Sequence, residues 1–215
     1  MSSDARRHAP ATQRNRQPIL EVLSRTLPPE GTVLEISSGT GEHAVFLAPH
    51  LAPRQWLPSD IDPVALDSIL AWQKAAPAAN LHSPSRLDAQ ASVWPVETGD
   101  HPQTLDLGKY PVTAIVNINM VHISHWRACR GLMAGAKRLL PMGGILYLYG
   151  PFRRNGQHTA PSNEAFDLSL KGQNPEWGVR DLEAVIAEAQ DNRLDLAETV
   201  EMPANNLSII FRKQG

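Results

Sequence analysis

A short run of small and acidic residues, Glu35 to Gly41, separates an aliphatic stretch from an amphipathic one. Ser37, Gly39 and Gly41 add little side-chain bulk, so a ligand can approach backbone N–H groups near the positive end of the following helix. Such a turn holds a carboxylate as readily as a phosphate. Many strand-to-helix turns use glycine only for its geometry, so the turn needs support from other residues.

A carboxylate at the next strand-to-helix turn gives that support. Asp60 lies 19 residues beyond Gly41, and a carboxylate placed there can accept two hydrogen bonds from a ribose diol. Asp62 stands directly before Pro63, a position typical of a helix cap. We therefore predict that Asp60 contacts a ribose and that Asp62 caps a helix.

The third and fourth turns also carry polar groups. Asp88 can accept a hydrogen bond from an adenine amino group, and Ala89 offers its backbone N–H. Asn117 and Met120 leave a central strand where the reacting end of an adenosyl ligand would lie, because ligands of open α/β sheets bind beyond the carboxyl ends of the strands. These four residues complete the predicted adenosyl site.

His122 is the candidate general base, since an unperturbed imidazole titrates near pH 6.5. The alternative is a histidine packed behind the ligand. His122, His125 and His43 also raise the question of a metal site, but no cysteine or carboxylate cluster accompanies them in the sequence. We expect no metal.

Two cofactors are compatible with these turns. A nicotinamide dinucleotide calls for Gly-x-Gly-x-x-Gly, whereas here Ser37 takes the first small position and Ala44 lies two residues past the position of the third glycine. The Glu35 carboxylate fits a ligand that carries an ammonium group, as a methionine moiety does. The turn therefore favours S-adenosylmethionine (SAM), with S-adenosylhomocysteine (SAH) as the product, over a dinucleotide.

Alternating strand and helix patterns position these residues. A continuous β-rich run over Val112–Ile118 is typical of the buried centre of a parallel sheet. The last two strands, Leu194–Met202 and Leu207–Arg212, are joined by four residues, which suits only an antiparallel pair. We predict a Rossmann-like α/β fold with a seven-stranded sheet, helices on both faces and a C-terminal antiparallel hairpin. The remaining predicted strands are Thr32–Ile36, Gln55–Pro58, Arg86–Leu87 and Ile145–Tyr149.

Two segments flank this alternation. Residues 1–17 carry Arg6, Arg7, Arg14 and Arg16 among small and polar residues, and we predict a flexible arm, or a lid that orders over a ligand. A short helix is predicted over Pro18–Leu27, and residues 18–215 form a single domain. Ala91–Tyr110 lacks periodicity and predicts a loop or a short irregular helix.

An insertion over Gly150–Trp177 follows the fifth strand, where an acceptor pocket would be bounded. A long segment with its own short helix is often functional in a compact domain. The alternative is a structural flap anchored by Phe166 and Trp177. The candidate substrate-binding residues in and beside this insertion are Tyr149, Phe152, Asn163, Trp177 and Arg180.

Composition narrows the class of protein. An apolar content of 42% and a charged content of 20% are typical of a globular chain of 215 residues. A net charge of −2 gives no basic excess for nucleic acid. A lone cysteine, Cys129, excludes an intramolecular disulfide, and no apolar run is long enough to span a bilayer. We expect a cytoplasmic protein without membrane or nucleic-acid partners; the sequence leaves the oligomeric state open.

The glycine turn, Asp60, Asp88 and the segment Leu140–Leu146 together resemble successive motifs of the class I SAM-dependent methyltransferases. A narrower resemblance is to the family that includes methyltransferase-like protein 26, and it extends over about residues 14–213. The sequence words that carry it are RNRQPIL from Arg14, SGTGEH from Ser38, PSD from Pro58, NMVHIS from Asn119, YGPF from Tyr149, NPEWG from Asn174 and MPANN from Met202. Ser37 departs from the broader pattern, which has glycine there.

This resemblance implies a SAM-dependent methyltransferase acting on a small-molecule acceptor. The alternative is a protein that keeps the cofactor fold and acts by binding a partner, because fold alone does not establish function. A nicotinamide-dependent oxidoreductase is a third hypothesis, which the glycine pattern and the terminal hairpin disfavour.

Overall fold

A computed structural model describes residues 4–215 of the chain, so the first three residues of the predicted arm lie outside the described residues. The elements are, in order, α1 (Pro10–Thr26), β1 (Thr32–Ile36), α2 (Glu42–His50), β2 (Gln55–Asp60), α3 (Pro63–Ala75), β3 (Ser85–Arg86), α4 (Pro95–Thr98), β4 (Val112–Ile118) and α5 (Trp126–Leu139). There follow β5 (Ile145–Gly150), β6 (Phe152–Arg154), β7 (Gln157–His158), α6 (Pro161–Gln173), β8 (Arg180–Asp181), α7 (Leu182–Asp191), β9 (Leu194–Met202), a 3₁₀ turn (Pro203–Asn205) and β10 (Asn206–Lys213).

Seven strands among the described residues form one sheet in the order β3-β2-β1-β4-β5-β10-β9. The predicted α/β class, the central place of β4 and the terminal hairpin are confirmed. Contacts between residues divide the chain into two compact units. The first unit consists of the chain up to Asp88 together with Val93–Val116, and the second unit consists of Ala89–Ser92 together with Asn117–Gly215. Among residues 4–215, no helix combines the length and the apolar character that crossing a membrane requires.

The first unit is built on parallel strands. β1 pairs with β2 from Thr32 opposite Gln55 to Ile36 opposite Ser59, and β2 pairs with β3 over two residues. Every residue of β1 is buried, as expected for a strand with neighbours on both edges and packing on both faces. The carboxyl ends of β1 and β2 are therefore fixed in register, and the turns that follow them start side by side.

The second unit is built on the antiparallel hairpin. β10 pairs with β5 from Leu207 opposite Gly150 to Arg212 opposite Ile145, and with β9 along its whole length. Asn205 and Ala204 adopt positive φ in the connection, which lets the chain reverse tightly. A separate three-stranded sheet, β7-β6-β8, lies within the insertion.

Three predicted elements are corrected. The first helix begins at Pro10 instead of Pro18, so the helix takes up part of the predicted arm; Pro10 suits a first helical turn, and Pro18 is tolerated inside the helix. The second strand continues to Asp60, and the insertion contains β6 and β7 besides its helix. Strands of two or three residues are too short to show a period in the sequence.

Candidate cofactor site

The turn between β1 and α2 is held in an unusual backbone conformation. Ser37, Gly39 and Gly41 all have positive φ, at 58°, 57° and 87°. A Cβ on Gly41 would lie 2.8 Å from Cα of Ile69, whereas a Cβ on Gly39 would meet no atom within 4 Å. Gly41 is therefore required by packing as well as by its dihedral, and the space above Gly39 is open to a ligand.

Ser37 keeps a left-handed conformation without the freedom of glycine. The left-handed region costs a residue with a Cβ about 1 kcal/mol or more, and methyltransferases of the broader pattern have glycine there. Ser37 is half-buried in the turn. Serine in place of glycine at position 37 therefore introduces local backbone strain.

Asp60 joins the two turns. Its Oδ2 accepts a hydrogen bond from the Gly39 N–H at 2.9 Å, and its Oδ1 accepts one from the Asp62 N–H at 3.0 Å. Each carboxylate oxygen has a second lone pair, so both remain able to accept from ligand hydroxyls. Asp62 accepts from the Val64 N–H at 2.9 Å and caps α3, which confirms its predicted role.

Asp88 is brought to the same edge of the first unit. The Leu87 N–H donates to the Asp60 carbonyl at 3.0 Å, so the chain carries Asp88, half-buried, past the end of β2. Ala89 begins the next segment and belongs to the second unit. There its carbonyl contacts Gly131 of α5, a position at which a Cβ would clash.

Glu35 is buried within the first unit. Its Oε2 accepts a hydrogen bond from the Trp56 Nε1–H at 2.9 Å, and its carbonyl accepts from the Ser59 hydroxyl at 2.7 Å. Burial raises the pKa of Glu35 to about 7, against the opposing effect of hydrogen bonds from Trp56 and Ser38. The carboxylate thus ties β1 to β2; its predicted contact with a ligand ammonium stays a prediction.

The end of β4 and the start of the loop after it belong to the second unit. The side chains of Asn117 and Met120 are buried, and Asn119 has a φ of 67°. The Asn119 N–H donates to the Tyr149 carbonyl at 2.9 Å, which fixes the start of the loop against β5. The predicted ligand contacts of Asn117 and Met120 remain predictions.

His122 lies in a closely packed pocket of the second unit. Its ring contacts Phe166 edge-on, at 5.6 Å between centroids, and a Cβ on Gly150 would lie 2.9 Å from the imidazole. Burial, with a smaller effect from Arg180, lowers the pKa of His122 to about 4. The imidazole is neutral at pH 7, so it can accept a proton but is a weak base.

Two of the predicted substrate-binding residues are engaged by the second unit itself. Arg180 donates hydrogen bonds to the carbonyls of Val121, Ser124 and Glu176. Asn163 donates to the Thr159 hydroxyl at 3.0 Å and to the Asn205 carbonyl at 2.9 Å. Their observed role is to fasten the insertion. Of the other predicted contacts, Tyr149 and Phe152 are buried and Trp177 is half-buried.

The histidines considered for a metal have other partners. His125 caps α5 by accepting from the Arg127 N–H at 3.1 Å. In the first unit, His43 Nε2 lies 2.8 Å from Asn15 Oδ1, and burial lowers the pKa of His43 to about 4. The first contact caps α5, and the second joins α2 to α1.

Two carboxylates that organise their surroundings, Asp167 and Glu42, were not predicted from the sequence to have a role. Asp167 lies 3.4 Å from His158, accepts from Lys171 at 2.6 Å and accepts from the Val179 N–H at 2.7 Å. The four-residue spacing of Asp167 and Lys171 was the available signal. Glu42 is bonded by residues far away in the sequence, and an acid in a first helical turn is too common to single out.

Solved methyltransferases share this fold. An O-methyltransferase family protein from Burkholderia thailandensis matches with a TM-score of 0.74 at 14% identity, over 95% of this chain and 58% of that one. Human N-acetylserotonin methyltransferase in complex with SAM matches with a TM-score of 0.73 at 14% identity, and the match covers 95% of this chain and 53% of that one. An O-methyltransferase family 2 protein from Planctomyces limnophilus in complex with apigenin matches with a TM-score of 0.74 at 16% identity, and the match covers 94% of this chain and 57% of that one. The chain thus shares their fold and spans little more than half of their length.

A protein-family model extends over nearly the whole chain. It matches residues 6–213, which include the glycine turn, Asp60 and the insertion. The family carries the description "Protein of unknown function (DUF938)". The chain belongs to the DUF938 family.

Proposed function

We propose that the chain binds SAM at the turn between β1 and α2 and transfers its methyl group to a small-molecule acceptor. The observation that carries the proposal is the bond between the Gly39 N–H and the Asp60 carboxylate, at 2.9 Å. It sets an acidic side chain beside an open glycine backbone, and this combination suits a ribose diol joined to a small charged group.

The residues fit SAM better than a dinucleotide. The opening above Gly39 admits a ligand to the backbone, but Ser37 replaces the first glycine of a pyrophosphate-binding turn. Asp60 would hold the ribose, Asp88 and the Ala89 N–H the adenine, and Asn117 and Met120 the region around the sulfonium. The fold of the methyltransferases compared above, one of them in complex with SAM, supports the same choice.

Bound SAM would supply an electrophilic methyl group, and alignment of an acceptor with it is the main catalytic requirement. His122 is the candidate base for an acceptor that must lose a proton. With its pKa lowered to about 4, the imidazole is ready to accept a proton at pH 7 but gives little driving force. Positioning of the acceptor would therefore contribute more than proton transfer.

The narrower resemblance to the family of methyltransferase-like protein 26 is part of this proposal, and so is a small, non-polymeric acceptor. The apigenin complex among the compared structures is consistent with such an acceptor.

A second candidate function, ligand-dependent binding of a partner without methyl transfer, is favoured by one observation. The side chains of Arg180 and Asn163 already donate their hydrogen bonds to backbone carbonyls of the chain, so they are engaged without a substrate.

Calorimetric titration with SAM, SAH and NAD tests the cofactor. We expect heat of binding with the two sulfur ligands and none with NAD; no heat with either sulfur ligand would contradict the proposal. Transfer is tested by incubating the protein with SAM labelled in its methyl group and extracts of small metabolites. Label in a small molecule supports the enzyme, whereas binding of SAM without any transfer supports the second candidate.

A further inference from the structure

Residues 4–9, here called the strap, precede α1 without helix or strand structure and lie against the first unit. The Trp72 Nε1–H donates to the Arg7 carbonyl at 2.9 Å. The His8 ring contacts the Trp72 ring edge-on at 5.1 Å between centroids, and the Arg6 guanidinium lies 5.1 Å from the Trp72 ring centroid. Trp72 of α3 is thus the platform on which the strap docks.

One chain of hydrogen bonds runs from the strap to the glycine turn through Glu42. The Ala9 N–H donates to Glu42 Oε2 at 2.6 Å, and the Thr40 hydroxyl donates to the same oxygen at 3.1 Å. His8 Nδ1 lies 3.4 Å from the other oxygen, and the Glu42 side chain is only 5% exposed. A buried carboxylate with several donors is held firmly.

A second chain of hydrogen bonds reaches the same residue through Ser68. The Arg7 N–H donates to the Ser68 hydroxyl at 2.9 Å, and the Ser68 hydroxyl donates to the Thr40 carbonyl at 2.8 Å. Thr40 is therefore held by its hydroxyl through Glu42 and by its carbonyl through Ser68. Both routes begin at backbone N–H groups on either side of His8.

Thr40 needs such support because it stands between Gly39 and Gly41. Glycine opens many backbone conformations, and ordering it costs more entropy than ordering any other residue. The bonds to Thr40 offset that cost and hold the turn in one conformation before a ligand arrives. Preorganisation of this kind raises affinity without any new contact to the ligand.

We propose that the strap of residues 4–9 is a working part of the cofactor site, and that Glu42 is the positioning residue that couples strap docking to ligand binding. The inference rests on the proposed binding of SAM at this turn. Because coupling between two binding events is reciprocal, a docked strap strengthens ligand binding and a bound ligand strengthens strap docking by the same factor.

Three glutamate variants and one buried control measure the first half of this coupling, with SAH as the probe in calorimetric titration. Glu42→Ala should raise the Kd roughly tenfold, within the usual range of such couplings. Glu42→Gln keeps a side-chain acceptor and should stay within about threefold of the wild type. Glu21→Ala removes an exposed glutamate of α1 and should leave the Kd unchanged.

The buried control separates positioning from general stability. Thr32→Val removes a hydrogen bond of 2.6 Å from the Thr32 hydroxyl to the Tyr110 carbonyl, at the opposite end of β1 from the turn. It should lower the melting temperature while the Kd for SAH stays unchanged. A Kd that follows the melting temperature in all variants would assign Glu42 a merely structural role and overturn the inference.

Limited trypsin digestion of the full chain measures the second half of the coupling, which is the effect of a bound ligand on strap docking. Cleavage after Arg6 and Arg7 requires the strap to leave Trp72, so saturating SAH should slow cleavage there roughly tenfold. Glu42→Ala should abolish this protection. Equal cleavage rates with and without SAH, in a protein that binds SAH, would overturn this inference alone. A wild-type chain that binds neither SAM nor SAH would overturn the proposed function together with it.

Discussion

The turn between β1 and α2 and the insertion that follows β5 both place polar residues after a buried strand, but they use them differently. In the turn, Asp60 keeps spare acceptor capacity, and the space above Gly39 is open. In the insertion, Asp167 accepts hydrogen bonds from Lys171 and from the Val179 N–H, and Arg180, just after the insertion, donates to three carbonyls of the second unit. The first region leaves space and acceptor capacity for the proposed ligand, and the second is arranged to hold itself together.

This difference has a physical origin. Glycine turns depend on backbone conformation, which a few tight contacts can fix while one side stays open. The insertion contains strands of only two or three residues, so side-chain hydrogen bonds such as those of Asp167 contribute to its order. The cofactor turn should therefore respond most strongly to backbone changes, and the insertion to loss of a buried charge.

Gly41→Ala should have the largest effect. The new Cβ would meet the backbone of Ile69 at 2.8 Å, at a φ of 87°, and backbone cannot give way as a flexible side chain can. We expect a loss of about 3–4 kcal/mol in the free energy of unfolding, measured by urea denaturation.

Gly39→Ala is the matched control for that variant. No atom lies within 4 Å of its added Cβ, so it should cost only about 1–2 kcal/mol from its dihedral but should hinder a ligand above the turn. Equal destabilisation by the two substitutions would contradict the distinction between a packed glycine and an open one.

Glu35→Gln should change the pH dependence of stability. Burial raises the pKa of Glu35 from 4.5 to about 7, so the folded chain retains a proton that the unfolded chain loses between these values. The free energy of unfolding of the wild type should therefore fall, relative to the variant, by about 3 kcal/mol as the pH rises from 5 to 8.

Urea denaturation of both proteins at pH 5 and pH 8 measures this difference. The lowered pKa values of the buried residues His43 and His122 act in the opposite direction, but they are present in both proteins and cancel. Parallel pH profiles for the wild type and the variant would show that Glu35 is ionised in the folded chain.

Asp167→Ala should destabilise the insertion by about 2 kcal/mol, because the buried Val179 N–H loses its acceptor. Glu164→Ala, an exposed substitution on the same helix, is the control. Burial raises the pKa of Asp167, but Lys171, the Val179 N–H and His158 outweigh it, and the pKa lies below its ordinary value of 3.8. The stabilisation should be complete above that pH and disappear as the pH falls further; unchanged hydrogen exchange of the Val179 amide would argue against the role of Asp167.

Ser37→Gly should have the smallest effect and the opposite sign. It relieves a positive φ of 58° and should raise the free energy of unfolding by about 0.5–1 kcal/mol, less the added entropy of glycine in the unfolded chain. A lower melting temperature would indicate that the serine side chain contributes more than its strain costs.

Local rules predicted much of the first unit. Strand β1, the N-cap of α3 and the closeness of Asp60 to the glycine turn follow from strand pattern, turn chemistry and the parallel register. Within the second unit, the hairpin followed from the length of its connection. Each of these features depends on residues near one another in the sequence or on whether neighbouring strands run parallel or antiparallel.

Long-range side-chain bonds could not be predicted in the same way. The contacts of Glu42 with Ala9, and of Arg180 with Val121, join residues far apart in the chain, and no spacing in the sequence encodes them. Asn163 and Arg180 were predicted to bind substrate because they are polar residues in and beside a long insertion. In the folded chain, carbonyl groups already accept hydrogen bonds from both side chains.

Titration of SAH into the wild type, Asp60→Ala and Asp62→Ala tests the central claim most directly, since these neighbouring carboxylates differ in role. Asp60 faces the glycine turn, whereas Asp62 caps α3. We expect Asp60→Ala to weaken binding more than tenfold and Asp62→Ala to lower the free energy of unfolding by about 1 kcal/mol with an unchanged Kd. Unchanged affinity in Asp60→Ala would contradict the placement of the cofactor at this turn.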